Sequence, residues 1–330
     1  MTGRTALLID CDTGIDDALA LLYAFGSPDA EVAGLSCVAG NATLDDVVRN
    51  TLAVAELAGR TDVEVAAGRD APLVRDLRIA ADTHGPTGLG YAELPSPTAG
   101  PIAEEAADAI VRQARERSGE LTLVTLGPLT NVAVALEREP GLPRLLSGLV
   151  MMVGSYRSPG NTAPTLEWNA IVDPEALAAV IAGWEAAGED VQRPRAFGLD
   201  VTERAKLTPD HLEQLAAHVG ADDPRGVVRF VSDALRFYFE FHSRYDGFYG
   251  AFIHDAMVVA AALDPELARY QALRVEIELE GRWTSGETVT DWRHAWDLAP
   301  NVDVAVAADI ESFFERVVER VAAVAAVAAD

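Results

Sequence analysis

Short apolar runs alternate with amphipathic helical stretches from the start of this chain, and that alternation limits its fold more than any other feature. Thr5 to Ile9 is an apolar run suited to a buried strand, and Ile15 to Phe25 repeats apolar residues at helical spacing until Ser27-Pro28 stops it. Glu31 to Ala39 is a second apolar run ending in Gly40-Asn41, Leu44 to Ala58 a second helix, and Val63 to Ala66 a short third strand. Strands joined through helices in this way pair in parallel through right-handed crossovers. The expected architecture is α/β, with an open, mostly parallel central sheet flanked by helices.

Later segments continue the pattern. Ile102 to Arg117 reads as a helix, Leu121 to Leu126 as a strand, Val132 to Glu137 as a helix and Leu149 to Val153 as the next strand. Asp173-Pro174-Glu175 opens a further helix, Arg195 to Leu199 forms a strand, and residues 209 to 244 form two helices. Residues 272 to 308 read as short strands and Ile310 to Ala329 as the closing helix. With no repeat and no low-complexity linker, residues 1–330 read as a single domain.

In parallel sheets of this kind, ligands collect beyond the carboxyl ends of the strands. The first such end is Asp10-Cys11-Asp12-Thr13-Gly14-Ile15-Asp16-Asp17, where four carboxylates crowd a strand-to-helix turn. Helix capping accounts for one or two of them. Four together repel one another unless a cation sits among them, and a hard, oxygen-liking ion is the natural partner. Residues 68 to 101 form a long, proline-rich loop carrying His84, and loops of this length are usually functional. Aromatics crowd Phe230 to Phe252; the helical ones read as core, whereas Tyr245 and Tyr249, in a glycine-containing stretch, read as pocket-lining.

The formal net charge of -26 argues against a nucleic-acid backbone or an anionic membrane as partner and suits a small or metal-bridged substrate. Two cysteines, Cys11 and Cys37, are too few for a disulfide framework, and the residues before Thr5 do not read as a signal peptide, so the cytoplasm is the expected compartment. Val321 to Ala329 is apolar but shorter than the roughly 20 residues a membrane-spanning helix needs.

Collected at the strand ends, Asp12, Asp16, Asp17, Asn41, Asn131, Glu167, Asn169, His254 and Asp255 combine carboxylates and amides without clustered thiols, a set suited to Ca2+ or Mg2+ and to sugar hydroxyls. A metal beside spare carboxylates can deprotonate water, which is hydrolytic chemistry on a polyol.

These residues carry a resemblance. Asp10 through Ala18 is similar to the N-terminal signature of the inosine-uridine-preferring nucleoside hydrolases. Gly127-Pro128-Leu129-Thr130-Asn131, the segment from Gly160-Asn161 to Glu167-Trp168-Asn169, Asp173-Pro174-Glu175-Ala176 and His254-Asp255 follow in that family's order. The resemblance implies a Ca2+-dependent ribonucleoside N-ribohydrolase that forms a homodimer or homotetramer. It implies that Asp12, Asp17 and Asp255 hold the ion with side chains, and Leu126 with its carbonyl. Asp12 would be the base toward a metal-bound water. Asp16, Asn41, Asn161, Glu167 and Asn169 would hold the ribose, with Trp168 beside it. His254 would help protonate the leaving base, near His84, Met152, Tyr245 and Tyr249. Asp10 is expected to organise the turn through backbone N–H groups.

Two other readings share some of these residues. A haloacid-dehalogenase-type Mg2+ phosphatase would use Asp10 as nucleophile with Asp12, although no downstream lysine and Asp-Asp pair in the usual setting supports it. A non-catalytic sugar- or calcium-binding homologue would keep the fold and lose turnover.

Overall fold

The computed structural model describes residues 3–220 and 223–326. In chain order the strands are β1 (Thr5–Cys11), β2 (Ala30–Cys37), β3 (Val65–Ala67), β4 (Leu121–Thr125), β5 (Gly148–Met152), β6 (Arg195–Phe197), β7 (Lys206–Leu207), β8 (Ala251–Phe252), β9 (Ala268–Leu273), β10 (Val275–Ile277), β11 (Thr288–Thr290) and β12 (Val302–Ala308). Eight of them form one sheet in the order β3-β2-β1-β4-β5-β6-β12-β9, all parallel except the antiparallel edge strand β9. The pairs β7–β8 and β10–β11 are separate antiparallel ribbons.

The strand order reverses between β1 and β4, and a crevice opens at such a switch point beyond the carboxyl ends. Asp10 lies opposite Thr125 in the register, and the Leu126 N–H donates to the Asp10 carbonyl at 2.8 Å. The acidic turn after β1 and Leu126-Gly127-Pro128 after β4 therefore stand side by side. Topology alone sets this pairing, since 108 residues lie between Asp17 and Leu126 in sequence.

Helices cover both faces of the sheet: α1 (Ile15–Gly26), α2 (Leu44–Leu57), α3 (Ala81–His84), α4 (Ala106–Glu116), α5 (Thr130–Arg138), α6 (Leu142–Leu145), α7 (Trp168–Val172), α8 (Pro174–Ala186), α9 (Leu199–Thr202), α10 (Pro209–Val219), α11 (Val227–Tyr245), α12 (Asp255–Leu263) and α13 (Ile310–Ala325). Strand alternation divides the core. Leu7, Ile9 and Cys11 of β1 pack into the layer of α1, α12 and α13, while Ala6 and Leu8 pack into the layer of α4, α5 and α8. Both faces are buried, which is why β1 reads as one continuous apolar run. Each fully buried aliphatic side chain contributes about 1.5–3 kcal/mol.

Some boundaries differ from those expected. The helix expected from Ile102 begins at Ala106, because Ile102 extends to bridge Ala66 instead. The closing helix ends at Ala325, and residues 327–330 lie outside the described residues. Among the described residues, no helix is long and apolar enough to cross a membrane.

Candidate active site

The acidic turn is shaped by Asp17 rather than Asp10. One Asp17 oxygen accepts the Asp12 N–H at 3.1 Å; the other accepts the Gly14 N–H at 2.9 Å and the Asn41 side-chain amide at 3.0 Å. Asp17 thereby closes the first turn of α1, where the helix macrodipole also favours negative charge. Asp10 does not bond the turn's N–H groups as expected: it accepts the Ser36 hydroxyl and the Asn131 amide at 2.8 Å, tying β1 to β2 and the start of α5. Burial pushes its carboxyl up to about 7, against those two hydrogen bonds. Its Oδ1 is taken up by these two partners and the residue does not line the cavity, so the geometry lends no support to a phosphatase that would use Asp10 as nucleophile.

Asp12 has one anchored and one free oxygen. Oδ2 accepts the Asn41 N–H at 2.7 Å, whereas Oδ1 is buried without a partner among the described residues. Two glycines make room for this carboxylate. A Cβ on Gly40 would lie 2.2 Å from Oδ2, and one on Gly127 would lie 2.7 Å from Oδ1.

A cavity of about 550 Å³ opens above this rim, with Asp16 and Asp255 at its floor. Oxygens of Asp16, Asp17 and Asp255 lie within 4.8 Å of one another, all three side chains buried. Asp16, assigned to the sugar by resemblance, thus joins the acidic group, while Asp12 stands beside it with its charge felt by Asp255. Burial first, and the charges of its neighbours second, raise Asp12 and Asp255 well above the carboxylate range and Asp16 to about 8; burial also raises Asp17, against its hydrogen bonds. No lysine or arginine forms an ion pair with these carboxylates among the described residues. An oxygen donor set this buried, this acidic and with an orphaned Asp12 oxygen fits a divalent hard cation.

The neighbouring wall is built by Asn169 and Glu167. The Asn169 amide donates to the Leu126 carbonyl at 2.6 Å and to the Met152 carbonyl at 2.9 Å, joining the ends of β4 and β5. Glu167 caps α7 by accepting the Asn169 and Ala170 N–H groups, and also accepts the Gly154 N–H. Asn161 accepts the Trp168 N–H at 3.1 Å, so this loop is fixed by its own polar residues. Asn41, Leu126, Met152, Asn161, Glu167, Trp168 and Asn169 all line the cavity.

Two of the cavity histidines are held as neutral rings. His84 Nδ1 accepts the Ile15 N–H at 3.1 Å, and His254 Nδ1 pairs with the Thr202 hydroxyl at 2.8 Å. Burial, followed by the electrostatic influence of other cavity histidines, depresses both to about 3. The loop carrying His84 is pinned to the rim where Asp173 accepts the Leu73 N–H and Arg75 pairs with Glu175.

A sequence model of the inosine-uridine preferring nucleoside hydrolases matches residues 7–315. The chain belongs to that family. Among relatives, a pyrimidine-specific ribonucleoside hydrolase of Enterobacter sp. is 38% identical, over 96% of this chain and 97% of its own length. Uridine nucleosidase 1 of Arabidopsis thaliana is 34% identical, over 94% and 91%. Among solved structures, a purine-preferring ribonucleoside hydrolase from Gardnerella vaginalis superposes with a TM-score of 0.88 at 29% identity, over 97% of this chain and 99% of that one.

This nucleoside hydrolase has a further cavity wall that sequence reasoning missed. Tyr238, Phe241, His242 and Tyr245 of α11 line it, together with Arg78, Glu203, Asp246 and Phe252. Tyr245 was expected there; Tyr249 was too, but it is 51% exposed and edge-on to Phe239 at 5.4 Å, away from the cavity. The available signal was the spacing of Tyr238, Phe241, His242 and Tyr245, which places them on one helical face.

Proposed function

We propose that this hydrolase cleaves the C1′–N bond of ribonucleosides to free base and ribose, with Ca2+ held at the acidic floor. The observation that carries the reading is the buried group of Asp16, Asp17 and Asp255 beside the orphaned Asp12 Oδ1, at the base of a cavity large enough for a nucleoside. Asp12, Asp17 and Asp255 would hold the ion with side chains, and Leu126 with its carbonyl. Such an ion supplies positive charge that keeps the carboxylates ionised and lowers the pKa of nearby water.

The chain's own residues supply the rest. Asp12, with Oδ2 anchored by Asn41 and Oδ1 buried without a protein partner, would serve both as a ligand to the ion and as acceptor of the proton of the attacking water. Asp16, Asn41, Asn161, Glu167 and Asn169, which all line the cavity, would hold the ribose, matching hydroxyls with acceptors and donors. As the bond to the base breaks, positive charge develops on the sugar ring, and the surrounding anionic oxygens stabilise it. Trp168 would lie beside the ribose, and His84, His254, Met152 and Tyr245, which also line the cavity, would lie near the base. His254, whose Nδ1 pairs with the Thr202 hydroxyl, would lie near that base and help protonate it as it leaves.

The pyrimidine-specific and uridine-cleaving relatives make uridine and cytidine the first substrates to test, with inosine and adenosine included because of the purine-preferring neighbour. The reading includes a cytoplasmic enzyme assembled as a homodimer or homotetramer, which light scattering tests. Base release from these four nucleosides is measured chromatographically after chelation and after return of Ca2+. The expected result is release from at least one nucleoside, lost with chelator and restored by the ion. No release from any of them overturns the reading.

A further inference from the structure

We propose that a second cavity, set back to back with the active site, binds a phosphate monoester carrying a flat apolar body. This cavity of about 230 Å³ lies between the loop that follows β3, the segment that forms α7 and the turn that joins β10 to β11. The α7 segment separates it from the active site. Leu166, Ile171 and Val172 line the second cavity, whereas Glu167, Trp168 and Asn169 line the first. Arg78 belongs to both walls.

One corner of the second cavity is fixed by its own bonds. Arg75 donates to Glu175 of α8 through Nε at 2.9 Å and Nη2 at 2.8 Å, and its Nη2 also donates to the Ser285 hydroxyl at 2.7 Å. The Ser285 hydroxyl in turn donates to the Leu279 carbonyl at 2.9 Å. Loop, helix and turn are thereby tied together, with the Arg75 charge answered by Glu175. Arg75 and Ser285 are scaffold, and the free donors are the other two guanidiniums.

Arg78 and Arg282 line the cavity without an ion pair among the described residues; Arg282 lies over the Trp283 ring at 4.6 Å. Elsewhere in this acidic chain guanidiniums gather carboxylates: Arg112 pairs with Glu64, Glu104 and Glu116, and Arg138 with Glu105 and Asp108. Asp76 is the one carboxylate on the wall, so the arginines there outnumber it. A net charge of -26 repels anions in general, which makes this basic wall a local exception.

The donor set selects the ligand class. A guanidinium presents paired N–H donors that match two phosphate oxygens, and two unpaired forks suit a dianion better than a single carboxylate. Beside them, Trp283 is 75% exposed, and Leu166, Ile171 and Val172 give the cavity an apolar floor. Inorganic phosphate would leave the indole and that floor uncovered, whereas an aromatic phosphate monoester covers both.

Calorimetric titration of the purified protein with phenyl phosphate, inorganic phosphate and phenol tests this. Phenyl phosphate should bind at one site per chain, inorganic phosphate at least about threefold more weakly, and phenol without saturation. Arg282→Gln should weaken phenyl phosphate about tenfold, with thermal unfolding of the unliganded variant unchanged. Trp283→Ala should weaken phenyl phosphate about threefold and leave inorganic phosphate as it was. Arg293→Gln, outside both cavities, removes the same charge and should change neither. No saturable binding of phenyl phosphate, binding that survives Arg282→Gln, or equal losses in Arg282→Gln and Arg293→Gln would overturn the proposal. Inorganic phosphate or phenol binding as tightly as phenyl phosphate would overturn it too. None of these readouts depends on nucleoside hydrolysis, so the site and the hydrolytic reading stand or fall separately.

Discussion

Stripped of divalent cations, this protein should lose stability as pH rises above neutrality, although most carboxylate-bearing folds do not. Asp16 sets the magnitude, because burial and then the charge of Asp17 raise its carboxyl from 3.8 to about 8. A carboxyl with its folded pKa above its unfolded one binds its proton more tightly when folded. Its contribution is therefore complete below the unfolded value and declines as pH climbs toward the folded value, at up to about 1.4 kcal/mol per pH unit. Buried neutral histidines act in the opposite direction. His84 and His254, depressed from 6.5 to about 3, add stability as pH rises through that interval and nothing further above it. Above pH 6.5 the carboxylate effect stands alone, and from 6.5 to 8 Asp16 by itself removes on the order of 2 kcal/mol. Asp12, Asp17 and Asp255 shift in the same direction. Against a typical total of about 5–15 kcal/mol, the loss is readily measured. Urea unfolding at pH 6.5, 7.2 and 8.0, with EDTA or with Ca2+, gives the answer. The stability gap between the two conditions should widen steadily with pH. A gap independent of pH, or a chelated protein that becomes more stable toward pH 8, refutes the reasoning.

Substitutions at the rim give sharper readouts of individual residues. Asp12→Asn preserves an acceptor for the Asn41 N–H and removes the base, so kcat should fall about 10²–10⁴-fold with thermal unfolding little changed; a variant that keeps a tenth of the rate rules Asp12 out as base. Gly40→Ala places a methyl 2.2 Å from Asp12 Oδ2 and 2.8 Å from Pro128, and steady-state kinetics should show at least about a tenfold loss in kcat, since misplacement by about 1 Å can cost two orders of magnitude. Tyr245→Ala should raise KM for nucleosides, while Tyr249→Ala, outside the cavity, should leave kcat/KM within about twofold, surface changes being small in energy.

The parts of this molecule that follow local rules were readable from residues alone. Apolar periodicity is a local property, so β1, α1, β2 and α2 lie close to where their patterns place them, and parallel pairing follows from the helices between them. The insertion of β12 between β6 and the antiparallel β9 is a long-range pairing that no local pattern carries. At the site, Glu167 and Asn169 were legible through the family-like segment that carries them, although they open α7 and do not end a strand. His242 was not, because on α11 the same helical spacing serves a core face and a cavity wall. Asp10 was misplaced for a related reason: sequence proximity to the turn suggested backbone capping, whereas its side chain points toward Ser36 and Asn131. Tyr249 shared a glycine-containing stretch with Tyr245, and chain direction after α11 separated them.

The central claim is that the acidic floor holds one cation that hydrolysis requires. Calorimetric titration of chelated protein with Ca2+, in parallel with base release from its best nucleoside substrate, tests this most directly. The expected result is a single ion per chain, activity that rises along the same isotherm, and loss of both in Asp255→Asn. Full activity in the chelated protein, or tight binding unchanged in Asp255→Asn, would contradict it.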